Sequence, residues 1–324
     1  MKKYALVILL LIFSKVSSQN SDNLLKKVDQ IVYSYTPVNS FEELVKKIDY
    51  DFSSDLEKTR AIYTWLALNI EYDHNNTSLV VSPKKYIVYN NEDYKRRLKI
   101  DKEKSINYAF KNKKGVCKEF AYLFQKACNI LNIKNELVYG YTRSSSFQIG
   151  LIPNNKNHIW NAVKLNNKWV LIDATFGAGY IYKDIWQQKF DASYFNISGK
   201  KLSLTHFPSS PFWGNFMEQQ PLNQFCNWPL INSGYIKQNV TIIRPINGNI
   251  KIRKKNKIKL QFKNLPKTTK VYYKYENDFY LKETNRTSKN SIVSITLPKP
   301  KKNDNLKVYF GNELALEYNV IVNE

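Results

Sequence analysis

Cysteine is scarce in this chain of 324 residues, with three in all, at positions 117, 128 and 226. An odd count leaves at least one thiol unpaired. Cys117 and Cys128 are poor disulfide partners, because eleven residues along one helix separate their Cα atoms by roughly 16 Å. No CxxC or Cys/His spacing of the kind that holds zinc is present, nor an EF-hand-like or clustered acidic stretch, so neither a metal nor another cofactor is expected. Histidine is equally rare, at 74, 158 and 206. Only seven of the 50 basic residues are Arg, and the lysines are dispersed. That argues against a nucleic-acid reader, which leans on Arg and on a concentrated patch. There is no internal repeat.

What is present suits folded cores: 43% of residues are hydrophobic and 14% aromatic. The opening MKKYALVILLLIFSKVSSQN sets two lysines before an apolar run from Tyr4 to Phe13, too short to span a bilayer, and ends in small polar residues. This is the grammar of a secretory signal peptide over residues 1–18, and it predicts an exported protein that is periplasmic, cell-surface or secreted. The net charge of +23 reads either as a solvated basic surface or as attraction to an anionic polymer outside the cell.

Two segments follow the leader. Residues 19–229 mix helix and strand patterns. Ser40-Phe41-Glu42-Glu43 marks an N-cap, and a helix opens at Ser54 or Asp55 and runs to about Tyr72-Asp73. Residues 74–104 read as a polar loop with a short helix at 94–98. From about 230 the pattern becomes all strand, with runs such as 240–243, 258–262, 271–275, 291–297 and 306–310, which predicts a small β-sandwich over 230–324. This second segment holds 19 Lys/Arg against 7 Asp/Glu.

The chemistry concentrates in three places. Cys117 follows Lys113-Lys114-Gly115-Val116 and precedes the helical pattern of 119–131. A thiol at a helix start beside lysines is placed to ionise and act as a nucleophile; a buried structural cysteine is the alternative. His158 opens the strand HIWNAVKL, and Asp173 closes the strand KWVLIDATFG. Asn166-Asn167 between them suits a type I′ hairpin turn. Facing positions then sum to about 333, which puts His158 and Asp173 near one another on one face. A carboxylate beside an imidazole is the orienting arm of a nucleophile–base–acid triad, and Cys117 is the candidate third member. A working triad must open onto a groove that substrate can enter.

The order Cys117…His158…Asp173, with spacings of 41 and 15 residues, resembles the transglutaminase-like superfamily. GVCKEFAYLFQKACNILNI is similar to its nucleophile helix, NHIWNAVKLNNKWVLIDATFGAG to its His and Asp strands, and TRAIYTWLALNIEYD to a helix that commonly precedes them. FDASYFNISGKKLSLTHFPSSPFWGNF, with its THFP core, resembles the kyphoscoliosis peptidase-like branch. Glu119 stands where that family often has Gly. The resemblance implies an α+β, papain-like fold, a Cys helix packed on an antiparallel sheet. It also implies acyl transfer on peptide or glutamine carbonyls of a protein substrate, ending in hydrolysis or in crosslinking. A transglutaminase-like scaffold that binds proteins or anionic glycans at the cell surface, without catalysis, is the other reading. His206, in THFP, is either structural or functional on this evidence.

Overall fold

The computed structural model describes residues 22–75, 89–253 and 256–323. The expected signal peptide therefore lies outside the described residues, as does most of the segment between 74 and 90. Contacts divide the chain into two compact units. One comprises the residues up to Val138 with Ile159–Asn196, the other Tyr139–His158 with everything from Ile197 onward.

The first unit begins with three helices, α1 (22–33), α2 (Phe41–Asp51) and α3 (Asp55–Asn69). Side-chain caps fix where the last two start. Ser40 Oγ accepts from Glu43 N–H at 3.1 Å, and the Ser54 and Glu57 side chains each accept from the other's backbone N–H, a complete capping box. Helices α1 and α3 are joined through a buried ion pair. Arg60 Nε and Nη2 grip the two carboxylate oxygens of Asp29 at 2.8 and 2.7 Å, and Thr64 Oγ1 donates to the same carboxylate at 2.6 Å. The Arg60 guanidinium also lies over the rings of Tyr63, Phe190 and Phe195.

Two expectations need correction here. Helix α3 stops at Asn69 rather than near Tyr72-Asp73, because Glu71 and Asp73 donate to the backbone carbonyls of Lys113 and Gly115 at 2.8 and 2.9 Å. Those bonds make a parallel pair of β1 (Glu71–Tyr72) with β2 (Lys114–Gly115). The second correction concerns the later part of the expected loop over 74–104, which from Asn91 belongs to the 22-residue helix α4 (Asn91–Asn112). Its sequence is polar almost all round, and only Ile106 and Ala109 supply a buried apolar contact, so the helical period is faint. Local bonds hold it instead: the Asn90 cap on Asp93 N–H, and Asp93 paired with Arg96 and Arg97 one turn on.

Helix α5 (Cys117–Ile130) precedes the strands β3 (Asn135–Thr142), β4 (His158–Leu165) and β5 (Lys168–Ile172). The short helix α6 (Ala174–Ala178), the hairpin β6 (Gly179–Tyr182) and β7 (Ile185–Gln188), β8 (Phe195–Ile197) and β9 (His206–Pro208) follow. Strand order in the five-stranded sheet is β8-β5-β4-β3-β9. The β4–β5 register runs from Asn161 opposite Ile172 to Leu165 opposite Lys168, the pairing that the sequence predicts. Asn166 and Asn167 both take positive φ, 47° and 62°, as a type I′ turn requires.

Strands β3 and β9 approach closely at Gly140, which pairs with Pro208. A Cβ on Gly140 would stand 2.1 Å from the Phe207 carbonyl oxygen, which is backbone and cannot rotate away. Gly140→Ala is therefore expected to force β9 outward and to lower stability by about 1–3 kcal/mol, the usual range for overpacking. The shift of the urea midpoint measures it.

Beyond residue 229 the second unit is almost wholly strand, with one short helix at Ser233–Ile236. The strands are β10 (Leu230–Ile231), β11 (Thr241–Arg244), β12 (Asn249–Arg253), β13 (Ile258–Lys263), β14 (Val271–Tyr275), β15 (Lys282–Glu283), β16 (Arg286–Lys289), β17 (Ile292–Leu297), β18 (Asp304–Phe310) and β19 (Glu313–Asn323). They form a four-stranded sheet, β11-β13-β17-β16, and a six-stranded one, β10-β19-β18-β14-β15 with β12 also on β19. Alternation puts Ile258, Leu260 and Phe262 of one sheet and Leu306, Val308 and Phe310 of the other inside. The Phe262 and Phe310 rings meet edge-to-face at 5.5 Å. The fold class is α+β with a sheet-rich C-terminal region, as the sequence predicts.

Candidate active site

Helix α5 begins at Cys117 because the backbone before it is fastened at its first turn. Val116 is extended and has no capping side chain. Glu119 replaces that cap: its Oε2 accepts from Val116 N–H at 3.0 Å, and its Oε1 accepts from Ser105 Oγ at 2.8 Å. The bend is tight enough that a Cβ on Gly115 would lie 2.7 Å from Glu119 Cβ. The departure at 119 thus has a physical meaning, since a glycine there could not close the helix start from its side chain.

Cys117 packs with Val116, Ala121 and Ile159, and Tyr72, Tyr122 and Leu137 lie against that cluster. Ile159 is the neighbour of His158 on β4. The buried amide of Asn161, further along β4, donates to the Ala121 carbonyl at 3.1 Å and pins the strand to helix α5. Tyr72 reaches this cluster from β1, and its ring meets Trp186 of β7 at 5.6 Å. Burial first, then the neighbouring Cys117, Asp173, Glu119 and Asp73, raises the Tyr72 hydroxyl above its ordinary range, so it stays a protonated donor.

Asp173 caps α6, its Oδ1 accepting from Thr175 and Phe176 N–H at 2.8 and 3.1 Å. His158 opens β4, and Asp173 follows β5, the strand paired with it. His206 enters as the paired partner of Thr142 at the start of β9, and its ring meets that of His158 edge-to-face at 5.1 Å. This approach to His158 was not decidable from THFP alone, because it depends on a strand pairing across 64 residues (206 − 142). His74 sits in a short helical turn outside this group, its Nδ1 buried.

Where an open groove is expected, Cys117, His158 and Asp173 are buried, with fractional exposures of 0, 4 and 1%. Cys128 and Cys226 are buried as well, and all three thiols are free. Burial pushes the Cys128 thiol far up, and pushes Cys226 up against the opposing effect of Arg143.

Residues 81–174, a span that takes in Cys117, His158 and Asp173 but not His206, match the model of the transglutaminase-like superfamily. Kyphoscoliosis peptidase from Mus musculus is 27% identical over 69% of this chain and 33% of its own length. The Homo sapiens protein of the same name is 27% identical over 69% and 32%. The Lim and transglutaminase domain protein ltd-1 of Caenorhabditis elegans is 21% identical over 79% and 34%. The chain thus spans about a third of the length of these relatives. A crystal structure of a TGase aligns over 56% of this chain and 40% of its own, at 17% identity and a TM-score of 0.29. The match around Cys117, His158 and Asp173 and the relatives agree: the chain is similar to the transglutaminase-like superfamily and, within it, to kyphoscoliosis peptidase.

Proposed function

We propose that the protein is an exported thiol enzyme that transfers acyl groups from peptide or glutamine carbonyls of a protein substrate, through Cys117, His158 and Asp173. The Cys117 sulfur attacks the carbonyl carbon and gives its proton to His158. The carbon–nitrogen bond breaks, and His158 returns the proton to the leaving nitrogen, which departs as ammonia or an amine. The thioester then yields to water, giving peptidase or deamidase activity, or to an amine, giving a crosslink. In either case the attacking group passes a proton through His158 back to sulfur. Asp173 orients the imidazole and stabilises its charge. Hydrolysis is the simpler outcome, since water needs no second binding site. The observation that carries this reading is that Ile159, the neighbour of His158 on β4, packs against Cys117, while Asp173 follows the strand paired with β4.

Export is supported by the leader-like sequence of residues 1–18. Among the described residues no helix is long and apolar enough to cross a membrane. The charge of the C-terminal segment, 19 basic against 7 acidic residues, suits an anionic cell-surface polymer as a further partner. A scaffold without catalysis is the second reading, and the zero exposure of Cys117 favours it.

Iodoacetamide near neutral pH, read by mass spectrometry, separates the two. Selective capture of Cys117 over Cys128 supports the enzyme, and equal sluggishness of both supports the scaffold. Turnover of a peptide library by the same preparation then identifies the carbonyl. Asp173→Asn should keep the fold, because an Asn oxygen can cap Thr175 and Phe176 as the carboxylate does. Its turnover should fall, though less than on loss of Cys117, since the amide holds the ring without stabilising its charge.

A further inference from the structure

His206 is completely buried, with an exposure of 0%, and its position is fixed at two points. Its backbone opens β9 against Thr142. Its ring is fixed by Thr205, whose Oγ1 lies 2.8 Å from His206 Nδ1 and donates to the Leu202 carbonyl at 3.2 Å. Thr205 Oγ1 thus links the His206 ring to the backbone of Leu202. The ring so fixed meets His158 at a centroid distance of 5.1 Å and an interplanar angle of 63°. Such edge-to-face contacts prefer one relative orientation and resist rotation of either partner.

We propose that His206, locked by Thr205, is a positioning residue for His158: it fixes the plane of the imidazole that serves Cys117. The catalytic consequence rests on the acyl-transfer reading; the ring-to-ring coupling does not. Leu202, Thr205, His206 and His158 form a relay in which a hydroxyl orients one imidazole and that imidazole orients the next. His206 touches no reacting atom in this scheme. Its effect is wholly through the orientation of His158, where small errors of aim are costly.

The chain has only three histidines, so ring nitrogen resonances of protein labelled with 15N-histidine can be assigned by single replacements. Thr205→Val keeps the side-chain shape and removes the hydroxyl, Thr205→Ser restores it, and His206→Phe keeps a ring without nitrogen. Thr205→Val and His206→Phe are expected to move the His158 ring resonances at fixed pH. Both should slow iodoacetamide capture of Cys117 by roughly ten- to a hundredfold. Thr205→Ser should return both readouts to the wild-type values. The proposal is overturned if Thr205→Val moves the His206 resonances and leaves those of His158 in place, even where the melting temperature falls. Should His206→Phe not fold, the Thr205 pair decides. If wild-type Cys117 is captured no faster than Cys128, the acyl-transfer reading fails on its own. The His158 resonances still decide the coupling: a response supports it and silence overturns it.

Discussion

Cys117→Ala is expected to lower turnover at least about 10⁴-fold while the melting temperature barely changes. The size of the loss follows from the role: without the sulfur no thioester forms, and only binding and any oxyanion donors remain to help water. The stability of the fold follows from the local geometry. The helix start is closed by the Glu119 carboxylate on Val116 N–H and by the Gly115 bend, and neither uses the thiol. Removing one sulfur atom from the cluster with Ala121 and Ile159 leaves a small void, which costs far less than truncating a large side chain. His158→Ala should fall as far, and the double variant no further, because residues that act as one unit are not additive. Full activity of Cys117→Ala in a verified assay would end the catalytic reading.

The second large effect concerns stability. Asp29→Ala should destabilise the protein by about 3–5 kcal/mol, since it strands the Arg60 guanidinium in a buried site. Arg60 has a fractional exposure of 3%, and both of its side-chain bonds in that site go to the Asp29 carboxylate. Thr64 loses its acceptor in the same stroke. The surrounding rings of Tyr63, Phe190 and Phe195 soften the loss through their negative faces without supplying a counter-charge. Asp29→Ala combined with Arg60→Met should recover much of the deficit, because replacing both partners removes the stranded charge. Guanidinium unfolding of the two variants tests this, and a double variant no better than the single one would assign the loss to packing instead.

The parts of the site that could be read from sequence are those fixed by local rules. Asn166-Asn167 sets the turn, the turn sets the register, and the register carries His158 and Asp173 to the same end of one hairpin. Ser40 and Ser54 announce their helices for the same reason, since a cap and the backbone N–H that donates to it lie three residues apart. Helix α4 escaped because its sequence is polar almost all round and shows no apolar stripe. The burial of Cys117 escaped because Tyr72, Tyr122, Leu137 and Ile159 come from four separate elements. Glu119 was visible only as a departure from a family pattern; its meaning needed the backbone of Val116 beside it.

Strand β19 pairs with β10 and β18 on antiparallel ladders and with β12 on a parallel one. All three partners precede it in the chain, the first by more than 80 residues (313 − 231). During synthesis the six-stranded sheet therefore has no centre until residues 313–323 have left the ribosome. At translation speeds of about 5–20 residues per second, the earlier strands wait for several seconds with open edges. Contacts so distant in sequence are slow to form even afterwards. The interval exposes β10, β12 and β18 to pairing with the wrong neighbour, and Lys251 and Lys307, on two of them, are charges that discourage it.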